Sequence, residues 1–247
     1  MTILRSDKEI SAIRDSGQVI KNIFAFIGKE IIPGVSTAYL DGIIEKFIRD
    51  NDAIPAFKGY KGFPATICAS VNNVVVHGIP SEKIILKDGD IISVDVGVKK
   101  NDLFTDATRT FGVGTLTESV QRLVDITRLS LDEGIKKAVQ GNRVSDISIA
   151  IQEVASRNKL QEVRMFVGHG VGKQLHEAPE IPNWGEKGEG PVLKEGQVLA
   201  IEPMINMGTR KVKVLSDGWT AVTADNELSA HFEDTVIVGR EKAEIVT

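Results

Sequence analysis

The sequence has little cysteine, histidine or aromatic residue. Of 247 residues one is cysteine, four are histidine and 5% are aromatic. A single thiol, Cys68, excludes an internal disulfide and any zinc site built from a cysteine cluster, and it fits a reducing compartment. With so few histidines, two placed seven residues apart in one glycine-containing segment indicate a function for that segment.

The chain also lacks a long apolar run and an excess of positive charge. No segment approaches the roughly 18 to 20 uninterrupted apolar residues of a membrane span, and the opening MTILRSDKEI has no apolar stretch typical of a secretory signal. A formal net charge of -4 gives no electrostatic footprint for nucleic acid or an anionic membrane. We therefore expect a cytoplasmic protein that binds neither.

What is present is an ordinary globular composition, 42% hydrophobic and 26% charged. Ser6 and Glu9 have capping-box spacing, so we predict a helix over 7–30 and, after a Pro-Gly break, a second helix capped by Ser36 or Thr37. The second half repeats this order, with helical patterns that begin at Thr117 and Ser145 and run through Val139 and about Asn158, respectively.

Short β-branched segments follow each helical pair, and we predict strands at ATICASV, VVVHGI, DIISVDVGV, LFTDATRTFGV, EVRMFVG, QVLAIEPMI, KVKVLSD, TAVTA and SAHFEDTVIV. No low-complexity linker separates the two series. We expect a single α+β domain over 1–247 whose duplicated halves, about 1–115 and 116–247, face each other.

Four acidic residues lie inside predicted strands, where an unpaired carboxylate is costly to bury. They are Asp95, Asp106, Glu202 and Glu233. His169 joins them from FVGHGVGKQLHEAP, where the glycines indicate a close backbone approach. Two divalent cations would balance four carboxylates, and carboxylate bridges suit ions about 3.5–4 Å apart. Oxygen ligands with one imidazole favour Mn, Fe, Co or Zn.

The ordered motifs DVGV, TDATRTF, GHGVGKQLHE, IEPM and FEDT, with NNVVVHGIP and DGWT, resemble the methionine aminopeptidases of type I over nearly the whole chain. The resemblance implies the pita-bread fold, a pseudo-twofold pair of α+β halves with a central antiparallel sheet and the metals between them. It also implies metal-dependent hydrolytic removal of the initiator methionine from nascent proteins and peptides when the next residue is small.

Carried over by position, the resemblance implies that Asp95 chelates one ion, that Asp106 and Glu233 bridge both, and that His169 and Glu202 complete the other. Glu202 would also shuttle protons. The two divalent ions would be Co, Mn, Fe or Zn.

The same resemblance implies that His77 and His176 are catalytic and substrate-binding residues which are not metal ligands. An apolar pocket for the methionine side chain would be formed by Tyr60, Phe63, Cys68 and Trp219. The partners implied are the N-terminal methionine of nascent chains and a transient contact with the ribosome, and we expect a monomer.

The chain departs from this family at two places. Leu175 stands where relatives often carry an aromatic residue, and His231 and Asp234 stand where relatives commonly carry Gln and His. Residues two apart in a strand point to the same face, so we predict that His231 faces the ligands with Glu233 while Asp234 points away. The alternative is a solvent-exposed histidine at the strand edge.

Other chemistries find weaker support. GHGVGK lacks the spacing of a P-loop, HEAPE lacks the second histidine of HExxH, and no GxSxG occurs. A Cys68 nucleophile with His77 has no evident activating cation. Three groups of proteins share the expected fold and differ from this pattern. Proline-specific peptidases usually carry an extra N-terminal domain, and type II methionine aminopeptidases carry an insertion in the second half. Non-enzymatic relatives have lost the metal ligands.

Overall fold

A computed structural model of the protein describes residues 1–4 and 6–247. These residues contain four α-helices: α1 (Asp7–Ile27), α2 (Thr37–Asp50), α3 (Glu118–Ile135) and α4 (Val144–Arg157). A single 3-10 turn covers Tyr60–Gly62. Within the described residues, every helix is too short or too polar to span a lipid bilayer.

Strands make up the rest of the regular structure: β1 (Ile54–Pro55), β2 (Ile67–Val71), β3 (Val74–Val76), β4 (Ile91–Lys100), β5 (Leu103–Gly112), β6 (Gln161–Glu162), β7 (Gly168–Gly170), β8 (Glu177–Ile181), β9 (Val198–Ile201), β10 (Met204–Asn206), β11 (Val212–Val214), β12 (Ala221–Thr223), β13 (Ser229–His231), β14 (Glu233–Ile237) and β15 (Glu244–Ile245). The predicted α+β class is confirmed.

The central sheet joins the two halves of the chain. Its strand order is β1-β4-β5-β14-β9-β7-β8, with β2 on β4 and β15 on β14, and all its pairs are antiparallel. Strand β5 of the first half is hydrogen-bonded to β14 of the second. Two three-stranded sheets, β13-β10-β6 and β11-β12-β3, lie beside it.

The helices cover the sheet with apolar faces. Ile13, Ile20, Ile23 and Ile27 recur at helical spacing on α1 and are fully buried. Each such side chain contributes about 1.5–3 kcal/mol by leaving water. The α1–α2 pair shares one core cluster with β4, and α3–α4 shares another with β9 and β14. This packing holds the central strands in fixed register.

Three of the predicted helix starts are confirmed by their caps, including that of α3, where the Thr117 hydroxyl accepts the backbone N–H of Val120 at 3.4 Å. The Ser6 hydroxyl accepts the backbone N–H of Glu9 at 3.3 Å, and the Glu9 carboxylate accepts the N–H of Ser6. Ser36, rather than Thr37, caps α2, because its hydroxyl accepts the N–H of Tyr39 at 3.1 Å.

Three other helix boundaries differ from the predicted ones. The first helix ends at Ile27, three residues early, because the following residues close tight i→i+3 turns onto Phe26 and Ile27. The third ends at Ile135, because Val139 forms a bridge with Gly239 instead. Ser145 does not open α4, which begins one residue before it.

Several predicted strands are also shorter than expected or divided, as in QVLAIEPMI, which separates into β9 and β10 at Glu202 and Pro203. EVRMFVG is extended only at its ends, in β6 and β7, and its middle turns the Phe166 ring onto His77. The strand VVVHGI stops before His77, whose φ of 58° is left-handed. SAHFEDTVIV divides into β13 and β14 at Phe232, where the chain passes from the small sheet to the central one.

Candidate active site

The register of three neighbouring strands brings three of the acids to one face. In the β4–β5 pair, Asp95 lies opposite Thr108 and Gly97 lies opposite Asp106. In the β5–β14 pair, Glu233 also lies opposite Thr108. Because alternate residues share a face, all three carboxylates point to the same side of the sheet.

Two other segments complete the cluster from the second half. Glu202 directly follows β9, and His169 lies in β7 opposite Ala200 of β9. The His169 Nε2 atom is 3.5 Å from Asp106 Oδ2 and 3.5 Å from Glu202 Oε1. Ligand atoms of Asp106, His169 and Glu233 lie within 4.8 Å of one another.

The glycines around His169 allow a close backbone approach. A Cβ atom on Gly168 would overlap the carbonyl oxygen of Ala200, and one on Gly170 would overlap that of Ala178. His169 Nδ1 lies 3.0 Å from the carbonyl oxygen of Gly170. An N–H on that atom would donate to the carbonyl, which fixes the ring and leaves Nε2 for a ligand.

Hydroxyl groups hold two of the acids in place. Thr108 donates to Glu233 Oε2 at 2.9 Å, and the Thr235 hydroxyl contacts both the backbone and the carboxylate of Asp106. Asp95 Oδ1 is buried without a hydrogen-bond partner. Arg109 points away from the cluster, because its guanidinium binds Asp234 at 2.5 Å.

The four carboxylates share a strongly unfavourable electrostatic environment. Burial first, and the charge of Asp106 second, raise the pKa of Asp95 to about 8, and burial raises the pKa of Asp106 to about 7. Burial and carboxylate neighbours raise the pKa of Glu202 and Glu233 well above the usual range. Among the described residues, no lysine or arginine forms an ion pair with these four.

The donor set therefore fits divalent metal. Four carboxylates and an imidazole converge on one space, one of their buried oxygens has no partner, and their mutual repulsion is not neutralised by a protein cation. These are the properties of a site whose charge is completed by bound cations.

Two further histidines line the same space. The His176 ring lies 4.2 Å from that of His169 and stacks on Tyr60, whose hydroxyl is 3.0 Å from His176 Nδ1. Part of the His176 ring is exposed, but desolvation of its inner edge, with repulsion from His169 and Lys61, lowers its pKa. Burial lowers the pKa of His77, so both rings are neutral at pH 7.

An apolar wall faces the carboxylates across a cavity of about 180 Å³. Phe63 and Trp219 meet edge to face, with ring centroids 5.1 Å apart, and Cys68 is buried beside them. Leu175 packs in the same cluster, so an aliphatic side chain completes this wall.

Every site residue nominated from the sequence lines this one cavity: Tyr60, Phe63, Cys68, His77, Asp95, Asp106, His169, His176, Glu202, Trp219 and Glu233. Sequence reasoning missed two lining residues, Phe57 and Lys61. Lys61 follows Tyr60, and only its position in a Gly-X-X-Gly segment could have suggested a functional turn.

His231 takes the predicted orientation. Its side chain is buried, at 2% exposure, and Nε2 lies 3.8 Å from Glu202 Oε2 with no hydrogen-bond partner. Asp234 lies on the other side with Arg109 and Arg128. The exposed alternative for His231 is therefore wrong.

Cys68 is unsuited to be a nucleophile. Burial, together with the neighbouring charge of Asp95, raises the pKa of the thiol well above its ordinary value. A thiolate is needed for attack, so this alternative has no support in the structure.

Comparison with known proteins agrees with this geometry. The chain matches metallopeptidase family M24 over residues 11–240. It is 49% identical to a methionine aminopeptidase of Clostridium perfringens over all of this chain and 99% of that one. It is 45% identical to methionine aminopeptidase 1 of Bacillus subtilis, again over 100% of this chain and 99% of the other.

A crystal structure of methionine aminopeptidase from Rickettsia prowazekii is 38% identical and superposes with a TM-score of 0.97 over the whole of both chains. The pita-bread fold expected from the sequence is thereby confirmed. A prolidase from Pyrococcus furiosus, 23% identical, shares the fold with a TM-score of 0.80 over 99% of this chain and 65% of that one. By sequence, fold and the acids gathered at its centre, the chain belongs to metallopeptidase family M24.

Proposed function

We propose that the protein is a methionine aminopeptidase, which hydrolyses the bond after an N-terminal methionine and releases that residue. The observation that carries this proposal is the position of the five candidate ligands, on one side of a small cavity whose opposite wall is apolar and aromatic. An unbranched thioether side chain suits such a wall.

The acids and His169 would hold two divalent ions, Co, Mn, Fe or Zn. Asp95 would bind one ion, His169 and Glu202 the other, and Asp106 and Glu233 both. When bound, such ions polarise a carbonyl oxygen and make water nucleophilic at neutral pH.

The protein's own residues would orient the substrate and move protons. Tyr60, Phe63, Cys68 and Trp219 would enclose the methionine side chain. The neutral rings of His77 and His176 would hydrogen-bond the scissile amide and the developing oxyanion, and the contact of His176 Nδ1 with Tyr60 orients that ring. Glu202, at the edge of the ligand cluster, would hold and return a proton through its carboxylate.

The same geometry favours a small residue after the methionine. His77 packs against both Phe166 and Trp219, with centroid distances of 5.3 and 6.1 Å, so its ring has little freedom to make room. We further propose that residues 1–247 act as one catalytic domain, because β5 and β14 join the halves beneath the site.

Initiator methionines of nascent chains are the proposed substrates. We also propose that the protein is cytoplasmic and monomeric and that it encounters the ribosome transiently, because these properties fit that substrate.

The test is release of free methionine from Met-Ala and Met-Gly peptides by chelator-treated protein, with and without added Mn, Fe, Co or Zn. We expect no release without metal and recovery with it. Met-Lys and Met-Phe peptides should be cleaved much more slowly. Full activity in metal-free protein contradicts the proposal, and preferential cleavage of an Xaa-Pro bond assigns the chain to the proline-specific branch instead.

A further inference from the structure

A tight turn at the cavity's edge carries a lysine in an unusual conformation. Lys61 has a φ of 48°, between Gly59 at 85° and Gly62 at 89°. Backbone hydrogen bonds from Gly62 to Gly59 at 3.2 Å and from Phe63 to Tyr60 at 2.9 Å close the turn. The turn therefore fixes the Lys61 backbone in the left-handed region.

Lysine is a poor choice for this backbone. Glycine adopts positive φ at no steric cost and asparagine tolerates it, whereas a long side chain with a Cβ is disfavoured. The ammonium group takes no part in the backbone hydrogen bonds that close the turn. Lys159 has a similar φ of 59°, so the backbone conformation alone assigns no role, and the role of Lys61 is inferred from the position of its side chain.

The Lys61 side chain borders the cavity that holds the candidate ligands. Lys61 lines the cavity, and among the described lining residues it is the only lysine or arginine. Its Nζ atom lies 5.3 Å from the centroid of the Tyr60 ring, while Tyr60 itself stacks on His176. Lys61 is exposed and forms no ion pair with any described residue, so its charge is free to act on a ligand.

We propose that Lys61 is a specificity-determining residue that selects substrates by the charge of the third residue, favouring acidic and disfavouring basic side chains. The inference rests on the proposed function. If the methionine fills the apolar pocket and a small second residue lies near His77, the chain leaves the cavity across the rim, and the third residue is the first that can carry a long charged side chain past Lys61.

The experiment compares amidated peptides, so that no terminal carboxylate adds a charge: Met-Ala-Glu-Ser, Met-Ala-Gln-Ser and Met-Ala-Lys-Ser. Exposed charge pairs are weak, so we expect kcat/KM to fall roughly two- to fivefold at each step from Glu to Gln to Lys. The difference should reside mainly in KM, since the charge acts on bound substrate and transition state alike. It should shrink in 0.5 M salt.

Variants of Lys61 separate charge from folding. Lys61→Asn should abolish the preference without loss of thermal stability, because asparagine suits the left-handed turn. Lys61→Glu should reverse the order of the three peptides. Lys58→Gln is the matched control, because Lys58 lies on the same segment but pairs with Glu45 at 2.7 Å and does not line the cavity. It should keep the wild-type order.

The outcomes distinguish this inference from the function on which it rests. Failure of the metal-loaded wild-type protein to release methionine from Met-Ala-Gln-Ser contradicts the proposed function. Efficient release with equal kcat/KM for the three peptides, or a preference that survives in Lys61→Asn, overturns the role of Lys61 alone.

Discussion

The ring nitrogens of His169 and His176 have different contacts, which indicates different roles for the two histidines beside the cavity. His169 places Nε2 within 3.5 Å of two carboxylates, whereas His176 contacts Tyr60 through Nδ1, stacks on the Tyr60 ring and lies tilted against the ring of His169. Geometry at the scale of single residues thus favours a ligand in one case and a substrate contact in the other.

For His176→Ala we expect kcat to fall roughly 10²- to 10³-fold, the usual cost of removing one preorganised transition-state donor. Metal stoichiometry, measured by atomic absorption, should stay at the wild-type value. Gln174→Ala, at an exposed position on the same loop, is the control and should be near wild type. Loss of metal together with activity would make His176 a ligand.

His231 and Glu233 lie two residues apart and should respond differently. Glu233→Gln removes a carboxylate expected to serve both ions, so activity should fall more than about 100-fold with loss of bound metal. His231→Gln changes only the group beside Glu202, and such changes typically cost 10- to 100-fold or less in activity or metal affinity. Calorimetric titration with Mn or Co, alongside kcat/KM, compares the two.

The surface acid Glu195, paired with Arg240, provides the control through Glu195→Gln, which should leave both measurements unchanged. A His231→Gln protein unable to bind metal would show that His231 is itself a ligand. An unchanged variant would show that the buried imidazole has no part in orienting Glu202.

At the scale of elements, the packing of a helix can make glycine more stable than alanine inside it, against the usual helix propensity. Glycine inside a helix normally costs up to about 1 kcal/mol relative to alanine. Gly17 of α1 is an exception, because a Cβ there would overlap the backbone carbonyl and side chain of Val246. Gly42 of α2 is exposed, with open space around it.

We therefore expect Gly17→Ala to lower the free energy of unfolding by about 1–3 kcal/mol, the usual cost of overpacking. Gly42→Ala should raise it by up to about 1 kcal/mol. Urea denaturation of both variants checks the pair. Equal stabilisation by both would mean that the C-terminal segment does not pack on α1 as the structure shows.

At the scale of the whole molecule, repulsion among four buried carboxylates destabilises the metal-free folded protein, because segments from both halves of the chain bring these groups together. Their folded-state pKa values lie above those of the unfolded chain, about 8 for Asp95 and about 7 for Asp106. A raised folded pKa contributes stability that is present below the unfolded pKa, near 4, and lost as pH rises through the folded pKa.

The buried histidines, whose pKa values are lowered, gain stability as pH rises towards their unfolded value near 6.5, so the loss due to the carboxylates should show between about pH 6.5 and 8. Metal-free protein should therefore lose thermal stability over that range, whereas the metal-loaded protein should not lose it in that way. Bound cations stabilise the ionised carboxylates and add binding free energy to the folded state. Thermal unfolding of chelated and metal-loaded protein across this pH range tests the expectation. Parallel curves for the two forms would contradict it.

The sequence by itself determined the helix starts at Ser6 and Thr117, and it singled out the four acids that the structure brings together. These features are local: a cap needs only residues three positions away, and a carboxylate within an apolar run is unusual whatever its partners are. Motif order then identified the family, because DVGV, TDATRTF and IEPM retain their chemistry and succession in one chain.

Only the tertiary structure decided how these residues meet. The pairing of β5 with β14 across more than a hundred residues places Glu233 beside Asp106, and no local pattern encodes that register. The break at Phe232, the left-handed turn at His77 and the rim position of Lys61 have the same origin. Each depends on neighbours distant in sequence, whose packing overrides the period and propensity of the local segment.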